Sequence, residues 1–277
     1  MMYRMKTALS KWILYLLASL AIGPVLYRLT SSLTDQHGGG SALLFDSASP
    51  MWLVASCFLA ALGAAGTFAW FGAKTIDKST GYILAGICLA WAAWPLASLE
   101  SLTRLHGAEI PVYRIALENL ACMGIALVVV WIADRHHAEG EPSANERMAI
   151  SSSVLAIVVG AVAAAAACYF VANNSFKGQT IAGAVAAGIA AAVVSQFVSG
   201  TGQGVARPLI PIASLGVVAA LSPVAASLLH GVKLEALVTS GDVLPLARPI
   251  SFEWPAGGLI GTALGLSWAS GAMQRHT

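Results

Sequence analysis

Residues 112–133 read VYRIALENLACMGIALVVVWIA, and this apolar stretch decides the fold class. As a helix rising 1.5 Å per residue, it is long enough to cross a hydrocarbon core of about 30 Å. Lipid offers no partners to backbone amides and carbonyls, so a segment that crosses it has to pair them within a helix. The only charged residues of the stretch, Arg114 and Glu118, lie one helical turn apart near its beginning.

The composition extends this interpretation to the whole chain. Of the 277 residues, 57% are hydrophobic and only 10% are charged, and the mean hydropathy is +0.76. Soluble domains contain about 25% charged residues, so the sequence predicts an all-α integral membrane protein in contact with the lipid bilayer. The net charge of +2 provides no basic field, and no nucleic-acid partner is expected.

Apolar runs recur along the chain and predict a single bundle of about eight transmembrane helices, with seven to nine compatible with the run boundaries. We expect one polytopic domain over residues 1–277, with a cytoplasmic loop at 134–148 and an unusually apolar, outward-facing loop at 230–255. The runs are 12–28, 51–73, 82–99, 112–133, 149–172, 180–199, 209–229 and 256–273.

The distribution of Lys and Arg predicts the orientation of this bundle. Nine of the fifteen lie on the side of the N-terminus and six on the other side. Because cytoplasmic loops carry an excess of positive charge, both termini are expected in the cytoplasm. The alanine richness favours a bacterial inner membrane.

Three glycines in the last run predict a close helix contact. Gly257, Gly261 and Gly265 are spaced four residues apart and therefore share one helix face. Small residues let two backbones approach in lipid, where no hydrophobic force drives helices together. Two interpretations stay open: packing within this chain, or an interface with a second copy or a partner membrane subunit.

The charges at the outer ends of the runs are the candidate binding site. Glu118 lies about 9 Å along its span. A lone carboxylate in a span is unfavourable by about 3 kcal/mol at the bilayer centre and by less near its edge. Arg114 and Glu118 are therefore either an interfacial anchor pair or part of a polar pocket for an ion, a proton or a small solute. The candidate ligand-binding residues are Glu118, Arg114, Glu100, His106, Glu109 and Glu253.

No motif predicts a metal or a cofactor. The four cysteines all lie in apolar runs without a C-x-x-C pair, and His136 and His137 match no zinc spacing. Pro223 lies well inside its run and predicts a kink, with Ser222 as a replacement hydrogen-bond donor.

These observations lead to a multi-pass membrane protein that binds or transports a small solute, ion or lipid through an outward-facing polar site. A non-catalytic membrane subunit or scaffold that docks partner helices is the alternative. An enzyme acting on a lipid-linked substrate at the outer leaflet is a further alternative, with Glu100, His106, Glu109 or Glu253 as acid or base. Polar residues are sparse in the middle of the runs, which argues against chemistry at mid-membrane.

Overall fold

The computed structural model describes residues 2–45, 47–102, 112–135, 150–198, 208–230 and 233–273. Across these ranges the chain is helical and contains no β-strand; a single isolated bridge joins Thr34 to Gly40. The helices are α1 Met2–Leu16, α2 Gly23–Thr30, α3 Met51–Thr75, α4 Lys78–Ala93, α5 Val112–Arg135, α6 Ile150–Val171, α7 Lys177–Val198, α8 Leu209–His230, α9 Leu234–Ser240 and α10 Glu253–Met273. A π-helical segment, Leu17–Ile22, joins α1 to α2, and 3-10 turns form at Leu99–Ser101 and Pro245–Ala247.

Six helices in the described ranges are long and apolar enough to cross a membrane, which supports a multi-pass membrane architecture. They are Ala8–Thr30, Met51–Thr75, Val112–Arg135, Ser153–Val171, Lys177–Val198 and Leu209–Leu229. The count of eight stays a prediction, because the other two expected spans fold as α4 and α10, which do not meet the same measure.

The helix α4 differs from the expected span at 82–99. It begins at Lys78 because Asp77 caps it, the carboxylate accepting a hydrogen bond from the Thr80 amide at 2.7 Å. It ends at Ala93, shortly before Pro95, which has no N–H to continue the helix. Its 16 residues span about 24 Å, less than the thickness of a hydrocarbon core.

The helix α10 lies at the centre of the bundle. Its most extensive contacts are with α7 and then α4, and it also touches α5 and α8. Around it, α6 packs on α7 and α8, while α5 bridges α8 and α3. The run from α1 to α2 lies at the periphery and packs mainly on α4.

The glycine face of α10 lies against α7 of the same chain. A Cβ atom added at Gly261 would lie 2.1 Å from the Val185 carbonyl oxygen, and one at Gly265 would lie 2.7 Å from that of Ile189. Gly188 contributes from the α7 side, where an added Cβ would lie 2.8 Å from the Gly258 oxygen. Backbones this close leave no room for side chains, so this face is occupied within the chain.

Two segments between helices fold over one end of the bundle. We call residues 31–45 and 233–252 the cap. The expected apolar loop at 230–255 supplies the second segment and folds back onto the bundle; the first segment was assigned no role from sequence. Leu33, Leu44 and Phe252 of the cap pack into the main core of the bundle. The other buried apolar side chains of the cap form a second cluster with neighbouring elements: Ala42, Leu43, Leu99, Leu102, Ile115, Ala226, Leu234, Leu237, Val238, Val243, Ala247 and Ile250.

Charged side chains meet at the end of the bundle opposite the cap. Lys11 pairs with Asp77 at 2.6 Å, and Lys78 pairs with Asp134 at 3.3 Å. The Tyr82 hydroxyl donates to Asp134 at 3.2 Å. The helix α1 begins at this end and α10 runs towards it from the cap, so both described ends of the chain lie on the same side.

The ionisation of Asp77 favours this arrangement. Burial acts to raise the pKa of Asp77, but hydrogen bonds from Lys11 and Thr80 outweigh it and hold the pKa below its ordinary value. A lowered pKa in the folded state stabilises the fold above the ordinary value, and this contribution is lost as pH falls through the lowered pKa. The contact is therefore intact at neutral pH.

Candidate functional site

The Glu118 carboxylate lies in the second turn of α5 and is only 1% exposed. Its Oε1 atom accepts hydrogen bonds from the Leu44 amide at 2.9 Å and from the Ser251 hydroxyl. Its Oε2 atom accepts from the Phe45 amide at 3.1 Å. One buried carboxylate is therefore bonded to both segments of the cap.

These donors explain how the carboxylate is tolerated away from water. An ionised carboxylate accepts hydrogen bonds on both oxygens, and bonds to a charged group are about twice as strong as neutral ones. The carboxylate also provides acceptors for the consecutive amides of Leu44 and Phe45, for which no backbone partner is present among the described residues. The cap therefore provides hydrogen-bond donors for the carboxylate, and the carboxylate provides acceptors for the cap.

Asn119, the next residue along α5, forms a second link from the same turn. It is fully buried, and its Nδ2 donates to the Ala219 carbonyl of α8 at 2.9 Å. Its Oδ1 accepts from the Ser251 amide at 2.8 Å. Helical spacing turns Asn119 away from the Glu118 face and predicts that it points towards another helix; this is confirmed, and that helix is α8.

Pro223 explains why the Ala219 carbonyl needs a donor from outside its helix. In a regular helix this carbonyl would accept from the N–H four residues later, but residue 223 is proline and has no N–H. Asn119 provides the shorter replacement bond. The expected donor, the Ser222 hydroxyl, also donates to the Ala219 carbonyl, but over a longer distance of 3.4 Å.

Ser251 has an unusual backbone conformation where these links meet. Its φ of 49° is the only positive φ of a non-glycine residue in the described ranges, a region that side chains with a Cβ rarely adopt. The residue is 1% exposed, with its amide bonded to Asn119 and its hydroxyl to Glu118. Such a conformation persists only where the surroundings hold it in place.

A buried ion pair stands beside this network. Glu253 begins α10, and its Oε1 pairs with the Lys177 ammonium at the start of α7; the two side chains are 2% and 14% exposed. Lys177 also donates to the Ala97 carbonyl at 3.0 Å, and Glu253 Oε2 accepts from the Ile250 amide at 3.1 Å. The pair joins α7 and α10 to the turn that follows α4.

The remaining predicted site residues are placed differently. Glu100 is exposed, and its Oε1 accepts from the Ser175 hydroxyl at 2.5 Å. Arg114 is exposed on the first turn of α5. His106 and Glu109 lie outside the described residues. Glu118, Glu253 and Glu100 therefore have separate described partners at the same end of the bundle.

From helical spacing, the sequence predicts that one face of α5 looks into the bundle and a bulkier face looks towards lipid, and this prediction is only partly right. The predicted inner face is Glu118, Ala121, Cys122 and Ile125, and the predicted lipid face is Ala116, Leu120, Met123, Leu127 and Trp131. Cys122 and Ile125 are buried as expected, while Leu120, Leu127 and Trp131 are exposed as expected. Two residues were assigned to the wrong faces: Ala121 is exposed, and Met123 is 2% exposed. The reason is that α5 packs on two sides, against α3 and against α8, so its buried surface is wider than one stripe.

Sequence reasoning missed several residues of the network. Lys177 was counted only as an outward charge, and Ser251 and the Leu44–Phe45 turn were not considered. The one sequence signal was Pro223, since a freed carbonyl inside a span calls for a donor such as Asn119.

The cavity beside this network is apolar. A groove of about 360 Å³ lies between α5 and α8, and none of the residues that bind the Glu118 carboxylate lines it. Over the described part of the chain, no group of three or more His, Cys, Asp or Glu side chains is placed to hold a metal ion. Comparison with family models, curated proteins and solved structures finds no match to this chain.

Proposed function

We propose that this multi-pass membrane protein binds or moves a small solute, ion or lipid at a polar site beneath the cap, with Glu118 controlling access. The observation that carries the proposal is that the buried carboxylate of Glu118 accepts hydrogen bonds from both cap segments. Loss of the negative charge of Glu118 therefore weakens the hydrogen bonds that hold both cap segments against α5.

The chemistry of the carboxylate supports such a control. Hydrogen bonds to a charged group contribute about 1.5–3 kcal/mol each, more than bonds between neutral groups. Protonation of Glu118, or a cation that binds its oxygens, makes the carboxylate a weaker acceptor. The hydrogen bonds that the Leu44 and Phe45 amides and the Ser251 hydroxyl donate to it are then weakened. The cap stays closed while Glu118 is ionised and opens more often when the charge is neutralised.

The native Cys122 thiol tests this proposal without knowledge of the ligand. It lies one turn below Glu118 on α5 and is fully buried. With Cys57, Cys88 and Cys168 replaced by alanine, a small thiol reagent reports opening at this position. Glu118→Gln keeps the shape but replaces one of the two acceptor oxygens by an NH₂ group, which faces the donors of either Oε1 or Oε2. Compared at equal thiolate fraction, taken from the pH dependence of labelling, we expect Cys122 labelling to accelerate about tenfold or more.

The matched control is Glu100→Gln, which removes an exposed carboxylate at the same end and should leave the labelling rate unchanged. A second background that keeps Cys168 instead of Cys122 distinguishes cap opening from general loosening, because Cys168 is buried at the contact of α6 with α7. Equal rates for wild type and Glu118→Gln, or equal acceleration at Cys168, would contradict the proposal.

The same assay screens candidate solutes. Sodium, potassium and calcium are added in turn to the Cys122 protein at constant pH, and a bound ion changes the labelling rate. Flux of an active ion into proteoliposomes then distinguishes transport from binding alone.

A second candidate function is a membrane subunit that docks partner helices. Only 22% of the most apolar window is buried in Ala8–Thr30 and in Ser153–Val171, compared with 50% in α5, α7 and α8. These peripheral helices provide broad apolar faces for lipid or for another protein. A stoichiometric partner that cross-links to them in native membranes would favour this candidate over the first.

The enzyme alternative has less support. It requires Glu109 or Glu253 to point into a shared cleft, and Glu253 is instead buried in its ion pair with Lys177. Glu109 lies outside the described residues.

A further inference from the structure

The apolar groove between α5 and α8 is a shallow channel on the outer surface of the bundle. Its lining is entirely apolar: Leu120, Met123, Leu127, Ile212, Ala213, Gly216, Val217, Ala220 and Leu221. Small residues on α8 form it, since a Cβ added at Gly216 would meet no atom within 4 Å. The groove begins next to the Asn119–Ala219 bond that holds the two helices together.

The dimensions of the groove suit a single hydrocarbon chain. Its α8 side extends from Ile212 to Leu221, about 13 Å along the helix axis, which for 360 Å³ gives a mean cross-section of about 27 Å². A helix with its side chains is about 10–12 Å across and is far too wide. Leu120, Leu127 and Leu221 are 41–57% exposed along its edges, so the groove is open to lipid.

A cationic side chain, Arg135, lies beyond the groove, at the end of α5 opposite the cap. Leu120, Leu127, Trp131 and Arg135 fall near one stripe of α5, and the Arg135 guanidinium lies 3.9 Å from the centre of the exposed Trp131 ring. Exposed tryptophan and arginine at a helix end are typical of the membrane interface. The neighbouring carboxylate of Asp134 is already engaged by Lys78 and Tyr82.

We propose that this groove holds one acyl chain of an anionic phospholipid whose phosphate binds Arg135. The apolar channel accounts for the chain, and the guanidinium provides the complementary charge and hydrogen-bond donors for the phosphate. Trp131 lies between the groove and Arg135, where the glycerol backbone of the bound lipid would lie. The occupant is a membrane phospholipid rather than a solute, and its site is separate from the Glu118 network.

Native mass spectrometry of the delipidated protein tests the proposal. Phosphatidylglycerol and phosphatidylcholine with identical acyl chains are added in equal amounts. Both lipids carry a phosphate, but the choline cation makes the second headgroup zwitterionic, so only phosphatidylglycerol presents a net negative charge to Arg135. Wild type should therefore retain phosphatidylglycerol about fivefold better, the ratio that corresponds to about 1 kcal/mol for one basic residue near an anionic headgroup. Arg135→Gln should abolish this preference.

Each variant has a matched control. Lys74 lies 4.7 Å from the centre of the Trp70 ring, another cation beside an indole, and Lys74→Gln should keep the preference. Gly216→Leu fills the groove and should weaken retention of both lipids alike. Gly63→Leu adds the same side chain at an open position on α3, away from the groove, and should change neither.

Several outcomes would overturn the proposal. These are equal retention of the two lipids by wild type, an unchanged preference in Arg135→Gln, or unchanged retention in Gly216→Leu. A lipid-free dimer that disappears in Gly216→Leu would instead identify a second copy as the occupant. If Gly216→Leu does not fold, Ala220→Leu fills the groove one turn further along and decides the same question.

Discussion

The carbonyl of Ala219 receives hydrogen bonds from two side chains, where an unbroken helix would provide one backbone amide. Asn119 reaches it from α5 at 2.9 Å, and Ser222 reaches it from its own helix at 3.4 Å. The kink residue Pro223 and the buried amide of Asn119 therefore form one functional unit, although 104 positions separate them. Removing one member changes what the other contributes.

A double-mutant cycle measures this dependence. Asn119→Ala leaves the Ala219 carbonyl and the Ser251 amide short of partners, so we expect unfolding free energy to fall by about 1–3 kcal/mol. In a Pro223→Ala background, the backbone N–H of residue 223 can again donate to the Ala219 carbonyl. Asn119→Ala should then lower the unfolding free energy by about 1 kcal/mol less than it does in wild type. Unfolding in mixed micelles with increasing denaturing detergent gives all four values. Strictly additive effects would show that the two residues act independently.

Sequence reasoning at this scale identified the unusual residues but not their partners. Glu118 and Pro223 stand out because a carboxylate and a missing N–H are both unfavourable inside a span. The donors to Glu118 lie 74 and 133 positions away, at Leu44 and Ser251, in segments without a recognisable pattern. Such pairings depend on how loops return to the bundle, which no local rule determines.

At the scale of elements, the contact between α7 and α10 shows what spacing can predict. Glycines four residues apart identify the face of α10 that approaches another helix, and that face is where the backbones meet. The identity of the partner was not predictable, because α6 and α7 are both rich in alanine. Packing settles it, since Gly188 of α7 lies opposite Gly258 and Gly261.

Substitution of one methyl group tests how close this contact is. In Gly261→Ala the new Cβ would lie 2.1 Å from the Val185 oxygen, a backbone atom that cannot move alone. We expect a loss of about 1–3 kcal/mol, the usual effect of overpacking. Gly271→Ala is the control in the same helix, since its Cβ meets nothing within 4 Å, and it should be neutral or stabilising by up to about 1 kcal/mol. Equal melting temperatures for the two variants would mean that the helices lie further apart.

At the scale of the whole molecule, the segments that contain continuous apolar runs form the helical bundle. That pattern predicted the helical bundle but not the cap, because residues 31–45 carry only scattered apolar side chains. Leu33, Leu43 and Leu44 are nevertheless at most 1% exposed. They are buried by contacts with distant elements, so their role becomes visible only when the bundle is assembled.

The orientation of the bundle in the membrane can be argued from the same assembly. Lys177 was counted among the outward charges, but it is buried against Glu253, so its charge is largely neutralised. Lys74, Lys78 and Arg135, in contrast, lie at the end opposite the cap with substantial exposure. The cytoplasmic location of both termini stays a prediction from the count of Lys and Arg residues.

Cysteine labelling of intact cells tests that orientation. In a background without native cysteines, Asn173→Cys is exposed between α6 and α7 at the cap end, and Gly271→Cys is exposed near the end of α10. A membrane-impermeant thiol reagent should label Asn173→Cys at once and Gly271→Cys only after the cells are permeabilised. The reverse pattern would place the cap in the cytoplasm. It would also make the Arg135 lipid site face the outer leaflet, because that site and the cap lie at opposite ends of α5.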